Sequence, residues 1–262
     1  MNPVLKKKNI QEQRKILIYK IIGRKIKIPY PMKLYYNNVI PLNIYQTWHT
    51  KNLPTLMENA TSKIRQLNPL FNYYLFDDND CREFIKDNFY ESVLNAYDKL
   101  IPGAYKADLW RYCILYKNGG IYLDIKYHPI NNFKFINLIE KEHWVLDADK
   151  NSVYNAFMVS LPGNNILWNV INHIVKNVNM KFYGNSPLDP TGPSLLAKYF
   201  TKMEKTRFDM RHEFYFSFEN RFILYKNYYV LKSYDGYIQE HNKHKKVNHY
   251  ASLWSNRSIY KK

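Results

Sequence analysis

The stretch Asp108-Leu-Trp-Arg111-Tyr112, followed by Asn118-Gly-Gly-Ile-Tyr122-Leu-Asp124-Ile-Lys126, restricts the fold more than any other part of the chain. Asp108 and Arg111 are three positions apart, so a helix carries them on one face. Gly119-Gly120 breaks that helix, and the run from Ile121 to Ile125 reads as a buried strand. Helix, glycine turn and buried strand in this order point to an α/β sheet, with Asp124 where the strand runs out. Ligands of open α/β sheets gather beyond the carboxyl ends of strands, so a carboxylate there is placed to meet a ribose hydroxyl or a metal-bound diphosphate. Capping a turn is the ordinary alternative.

The flanking segments extend the pattern. Val39–Tyr45 reads as a first strand that delivers Gln46-Thr47-Trp48-His49-Thr50. A helix from Pro54 to Leu67 is stopped by Asn68-Pro69, and Phe71–Phe76 is a second strand. Asp77 to Asp80 offers an N-cap for a helix over Cys81–Asn88, and Glu91–Leu100 suits another. Strand, helix, strand, helix, strand predicts a doubly wound α/β sheet up to about residue 130. Beyond Pro129 we expect strands at Trp144–Asp147, Ala156–Ser160, Phe214–Phe218 and Tyr228–Lys232, with helices at Asn165–Val178 and from Thr191 through Phe200. Val247–Trp254 closes the domain. The expected division is a basic extension over 1–38, one catalytic-size domain over 39–256 and a basic tail over 257–262.

Hydrophobic residues at 46% and aromatics at 17% exclude a disordered chain. The formal charge of +17 asks for a polyanionic neighbour, whether nucleic acid, an acidic membrane surface or a phosphorylated small molecule. Charge alone does not choose, and the basic runs near both ends also read as solvated tails. Cys81 and Cys113 fit buried free thiols, not a disulfide framework. No segment approaches the roughly 20 apolar residues of a membrane span, so neither a signal peptide nor a transmembrane anchor is expected. That points to a cytoplasmic or peripheral protein. The Ile16–Ile22 arm reads as packing on the domain, with a peripheral membrane contact as the alternative.

Near the end, His249-Tyr250-Ala-Ser252-Leu-Trp254 brings an imidazole, a hydroxyl and an indole into one short segment, a weak signal by itself. Thr191-Gly-Pro-Ser194 is an ordinary helix start whose amides can also face an anion. Trp48 is either a core aromatic or a platform for a base, where stacking is worth roughly 1–3 kcal/mol.

The segments IPLNIYQTWHT, LFDD, KADLWRY and NGGIYLDIKY, with NAFM at Asn155–Met158, TGPSLL at Thr191–Leu196 and HYASLW at His249–Trp254, together resemble glycosyltransferase family 32. This is the group of sugar transferases with a DXD motif that includes the yeast initiating α-1,6-mannosyltransferase, and it is similar to the glucosyltransferase domains of clostridial toxins. The resemblance implies a GT-A-like, Rossmann-related α/β fold with a mixed central sheet. It also implies transfer of a hexose, with retention, from a UDP- or GDP-linked donor to a glycan, lipid or protein hydroxyl. Carried over by position, it makes Asp108 and Arg111 donor-sugar contacts, Trp48 the base-stacking aromatic, and Tyr122 and Asp124 the grip on ribose and metal. His249, Ser252 and Trp254 become a loop closing on the diphosphate, with Asp124 and His249 as ligands of Mn²⁺ or Mg²⁺.

One position departs from the motif. Lys126 stands where the family has its second Asp, so a carboxylate ligand has become a cation. Either the ammonium takes over neutralisation of the leaving diphosphate, which makes Lys126 a catalytic residue, or Lys126 points away and the chain is a degenerate nucleotide-sugar binder. A basic nucleic-acid-binding module is the reading from a different class, and it leaves the ordered motifs unexplained.

Overall fold

The computed structural model describes Gly23 and residues 25–215 and 220–261. Its centre is a four-stranded sheet in the order β2-β1-β3-β6, formed by β1 (Asn43–Thr47), β2 (Asn72–Phe76), β3 (Gly120–Leu123) and β6 (Phe157–Ser160). β1 runs parallel to both β2 and β3, whereas β3 and β6 are antiparallel, with Tyr122 opposite Met158. The expected α/β fold with a mixed central sheet is therefore present. The parallel pairs require crossovers, and the intervening helices supply them.

Four helices lie between β1 and β3: α1 (Thr55–Leu67), α2 (Asp78–Asn88), α3 (Glu91–Lys99) and α4 (Gly103–Asn118). The expected cap of α2 forms as a reciprocal box in which Asp77 accepts from the Asn79 and Asp80 amides while Asp80 accepts from the Asp77 amide. α4 buries residues all round, from Tyr105 through Leu115, because it lies between the sheet and α5 (Asn165–Asn179). The glycine turn after it leaves no room for a side chain. At Gly119, with φ +61°, a Cβ would fall 2.6 Å from Pro162 Cδ.

A second, five-stranded sheet runs β4-β9-β8-β7-β5, from β4 (Tyr127–Pro129), β5 (Val145–Leu146), β7 (Met210–Phe214), β8 (Arg221–Tyr225) and β9 (Tyr228–Ser233). Its apolar side packs with the first sheet in one cluster that includes Ile44, Ile121, Phe157, Ile223 and Leu231. The helices that follow α5 among the described residues are short: α6 (Pro193–Ala197), α7 (Lys202–Thr206), α8 (Tyr237–His244) and α9 (Tyr250–Ser255).

Several boundaries differ from the sequence reading. The first strand starts at Asn43 because the Val39 and Ile40 amides both bond the Ile139 carbonyl (3.0 and 2.8 Å), and Pro41 has no amide to offer a ladder. The strand expected over Phe214–Phe218 lies earlier, at Met210–Phe214, and 216–218 fall outside the described residues. Arg211 and Glu213 interrupt its apolar run, which hid it. The helix from Thr191 is confined to Pro193–Ala197. Residues assigned to a basic tail are tied to the domain: Ile259 and Tyr260 are buried, and the Ile101 amide bonds the Ile259 carbonyl (2.9 Å).

Candidate functional site

After β3 the chain folds back. The Tyr127 amide bonds the Asp124 carbonyl (3.0 Å), making Asp124-Ile-Lys-Tyr127 a turn, and the turn lays Lys126 against Asp124 so that Nζ donates to Oδ2. The carboxylate is held from every side. Its backbone amide donates to the Ala156 carbonyl (2.8 Å), the Tyr122 hydroxyl donates to Oδ1 (2.8 Å), and Arg111 Nη1 lies 3.1 Å from Oδ1.

Arg111 links this carboxylate to the next. Its Nη1 donates to the Asn155 carbonyl (2.9 Å), Nε donates to the Ala107 carbonyl (3.1 Å), and Nη2 sits 3.4 Å from Asp108 Oδ1. The guanidinium also lies over the Tyr122 ring, 4.5 Å from its centre. Asp108 accepts from Thr191 Oγ1 (2.7 Å) and Asn155 Nδ2 (2.9 Å), and Asn155 Nδ2 donates in turn to the Tyr112 hydroxyl (2.7 Å). Segments far apart in sequence thus meet at one point.

Four charges alternate in sign, with Asp108, Arg111 and Lys126 buried and Asp124 partly exposed, and their titration follows from that. Burial alone would raise the Asp124 carboxyl, but the Lys126 ammonium and Arg111 guanidinium outweigh it and hold it below the usual carboxylate range. For Asp108 burial wins over Arg111 and the Thr191 and Asn155 hydrogen bonds, so its carboxyl is pushed up. Lys126 is raised despite burial, because Asp124 stabilises its charged form.

An aromatic wall surrounds Lys126. Nζ lies 5.3 Å from the Tyr127 ring centre and 5.6 Å from that of Tyr154, whose hydroxyls are 2.9 Å apart. Tyr154 in turn stacks on His212 at 3.9 Å between centroids and 4° between planes. Tyr237 and Arg221 belong to the same neighbourhood: burial and then the fields of Lys126 and Asp124 act on the Tyr237 phenol, and the Tyr154 and Tyr127 phenols support the Arg221 charge against burial. Arg221 escaped the sequence reading because nothing around it forms a motif. Asn155 and Thr191 lay in recognised segments, yet only the fold reveals that both hold Asp108.

Trp48 follows β1 and, half-buried, packs against the small cluster that contains Met57, Ala60, Ile125 and Tyr234, with its ring 5.5 Å from that of His241. Its indole nitrogen is buried without a hydrogen-bond partner. The last segment forms α9 with His249 as its N-cap, whose Nδ1 accepts from the Ala251 amide (3.3 Å). Ser252 is exposed, and Trp254 Nε1 donates to the Tyr183 carbonyl (2.6 Å). Tyr250 reaches α4, with its ring 5.8 Å from that of Tyr105.

The donor set does not fit a divalent cation. Both Asp124 oxygens already face cations or a hydroxyl donor, and Lys126 occupies the second ligand position. Among the described residues no three His, Cys, Asp or Glu side chains are grouped to hold a metal, and the Nδ1 of His249, the other expected ligand, is engaged in capping α9.

Residues 54–146 match the family model described as glycosyltransferase sugar-binding region containing DXD motif. Inositol phosphoceramide mannosyltransferase 3 of Schizosaccharomyces pombe is 31% identical over 182 residues, covering 68% of this chain and 50% of that protein. Inositol phosphoceramide mannosyltransferase 2 of the same organism is 32% identical over 139 residues, covering 53% of this chain and 39% of the relative. The chain therefore spans half or less of these relatives. Among solved structures, PaToxG Glycosyltransferase superposes with a TM-score of 0.48 at 16% identity, covering 74% of this chain and 78% of that one.

Proposed function

We propose that this chain, one of the DXD-region glycosyltransferases that resemble family 32, transfers a hexose from a UDP- or GDP-linked donor without a divalent metal. The observation that carries this reading is Lys126, buried and seated on Asp124 at the end of β3. An ammonium has three donors, and one is spent on Asp124, which leaves two to meet phosphate oxygens. The positive charge that a leaving diphosphate needs is then supplied by the protein itself, at a fixed place and without reorganisation. Arg221 adds a second cation beside Tyr154. Asp124 orients the ammonium, while Arg111, locked by its own hydrogen bonds, keeps Asp124 ionised and in place.

On this reading Asp108 and Asp124 present their remaining acceptor capacity to sugar or ribose hydroxyls, and Trp48 offers a face to the base. The acceptor hydroxyl attacks from the leaving-group side, giving retention, and its proton passes to the departing phosphate. His249, Ser252 and Trp254 act as a segment that draws in over the diphosphate. The acceptor class we favour is a lipid head-group polyol, because relatives at 31% and 32% identity bear names that specify inositol phosphoceramide.

The test is turnover of GDP-mannose, UDP-glucose and UDP-galactose in EDTA, with inositol phosphoceramide as acceptor and released nucleotide and glycosylated lipid as readouts. One donor should be consumed without added metal, and Lys126→Ala should lower kcat by about 100-fold or more, the scale set by removing one preorganised donor from a developing anion. Consumption only on adding Mn²⁺ would refute the role given to Lys126.

A further inference from the structure

We infer that the segment from Lys25 to Val39 is a docking strap for an anionic lipid surface. Ile28, Met32, Leu34, Tyr35 and Val39 expose 50%, 52%, 108%, 79% and 38% of their surface, a concentration of apolar exposure within twelve residues. The segment is nevertheless held. The Tyr30 ring lies 5.7 Å from Phe133, 5.1 Å from Tyr225 and 5.2 Å from Tyr228, and the Tyr36 hydroxyl donates to Asn137 Oδ1 (2.7 Å). Asn131 Nδ2 donates to the Ile26 carbonyl. Anchoring residues at 26, 30 and 36 leave Ile28, Leu34 and Tyr35 between them facing solvent. Pro29 and Pro31 stiffen the segment and remove two amides that would otherwise need partners at an apolar boundary.

Charge identifies the occupant. From Gln13 to Met57 the sequence contains no Asp or Glu, and exposed Lys25 and Lys27 lead into the apolar residues. Aliphatic side chains with lysines beside them suit a bilayer boundary, where the former enter the acyl region and the latter meet anionic head groups. Nucleic acid would use the lysines but offers no recess for Leu34 or Ile28. No helix among the described residues is long and apolar enough to cross a membrane, so the contact inferred here is with the surface.

The inference does not rest on the transferase reading, and its test needs no turnover. The full chain is sedimented with phosphatidylcholine vesicles that contain or lack phosphatidylserine, at low and high salt. Binding should require phosphatidylserine and weaken with salt. Leu34→Asp with Tyr35→Asp should reduce partitioning at least about tenfold, and each of Lys25→Gln and Lys27→Gln about fivefold. These positions are exposed, so the variants fold, and nucleotide binding by the same proteins reports separately on the donor site. No vesicle binding, equal binding to both vesicle types, or wild-type binding by the Leu34 and Tyr35 variant would overturn the inference. So would retention on RNA without vesicle binding.

Discussion

At Asp124 two buried cations share one carboxylate, and the site depends on that sharing. Asp124→Asn keeps the shape but leaves Lys126 and Arg111 facing a neutral amide. Removing one partner of a buried ionic group typically costs roughly 3–5 kcal/mol. We expect urea unfolding of this variant to show a loss of that size together with loss of nucleotide binding; an unchanged midpoint would mean that the ion pairs are not formed in solution. The position of the carboxylate where β3 runs out was legible from the glycine turn and the buried strand, with turn capping as the alternative use. Its partnership with Lys126 was legible only as a choice between two orientations, because the turn from Asp124 to Tyr127 decides which way a long side chain points. The structure turns Lys126 inward.

Among the elements, the junction of α4 and β3 sets the site, since Arg111 and Asp124 lie on either side of it. Gly119, at φ +61° and ψ −174°, occupies backbone space that other residues avoid. Gly119→Ala would strain the backbone and drive a Cβ to 2.8 Å from Pro162 N, and we expect a destabilisation of roughly 3 kcal/mol or more, measured by thermal unfolding. Asp77→Ala removes the capping box of α2 and should cost about 1 kcal/mol without altering nucleotide affinity. Helices with capping and periodic signals were readable, as α1, α2 and α5 show. The second sheet was readable in part: β5 and β9 fall where strands were expected, at Trp144–Asp147 and Tyr228–Lys232, whereas β7 was missed because it alternates buried Met210 and His212 with charged neighbours. Long-range pairing, which no local pattern encodes, makes such strands.

For the molecule as a whole, acid should act through buried histidine before it reaches the carboxylate pairs. Burial outweighs the Asp209 carboxylate, 3.9 Å away, and lowers His143 from its ordinary 6.5 to about 4. The folded protein therefore binds fewer protons than the unfolded chain between these values, and stability falls as pH drops through that window. The slope is about 1.4 kcal/mol per pH unit for one such group. Asp124 is shifted below the usual carboxylate range, so its contribution is present above the unfolded value and is lost only at lower pH. Unfolding followed from pH 7 to pH 4 should show the decline, and His143→Gln should flatten it; an unchanged slope would place the titration elsewhere. The architecture was visible from sequence as an α/β core, whereas the basic excess of +17 left its partner open. Burial of Lys126 and exposure of Leu34 underlie the two uses proposed for that charge, one at the donor site and one at a lipid surface.

The most direct test of the proposed metal-sparing site is calorimetric titration of the wild type and Lys126→Asp with UDP and with GDP, each in EDTA and in Mn²⁺. The wild type should bind one nucleotide equally well in both conditions, whereas Lys126→Asp, with two adjacent carboxylates, should bind it only with Mn²⁺. Wild-type binding that disappears in EDTA, or no binding of either nucleotide in any condition, would contradict the account.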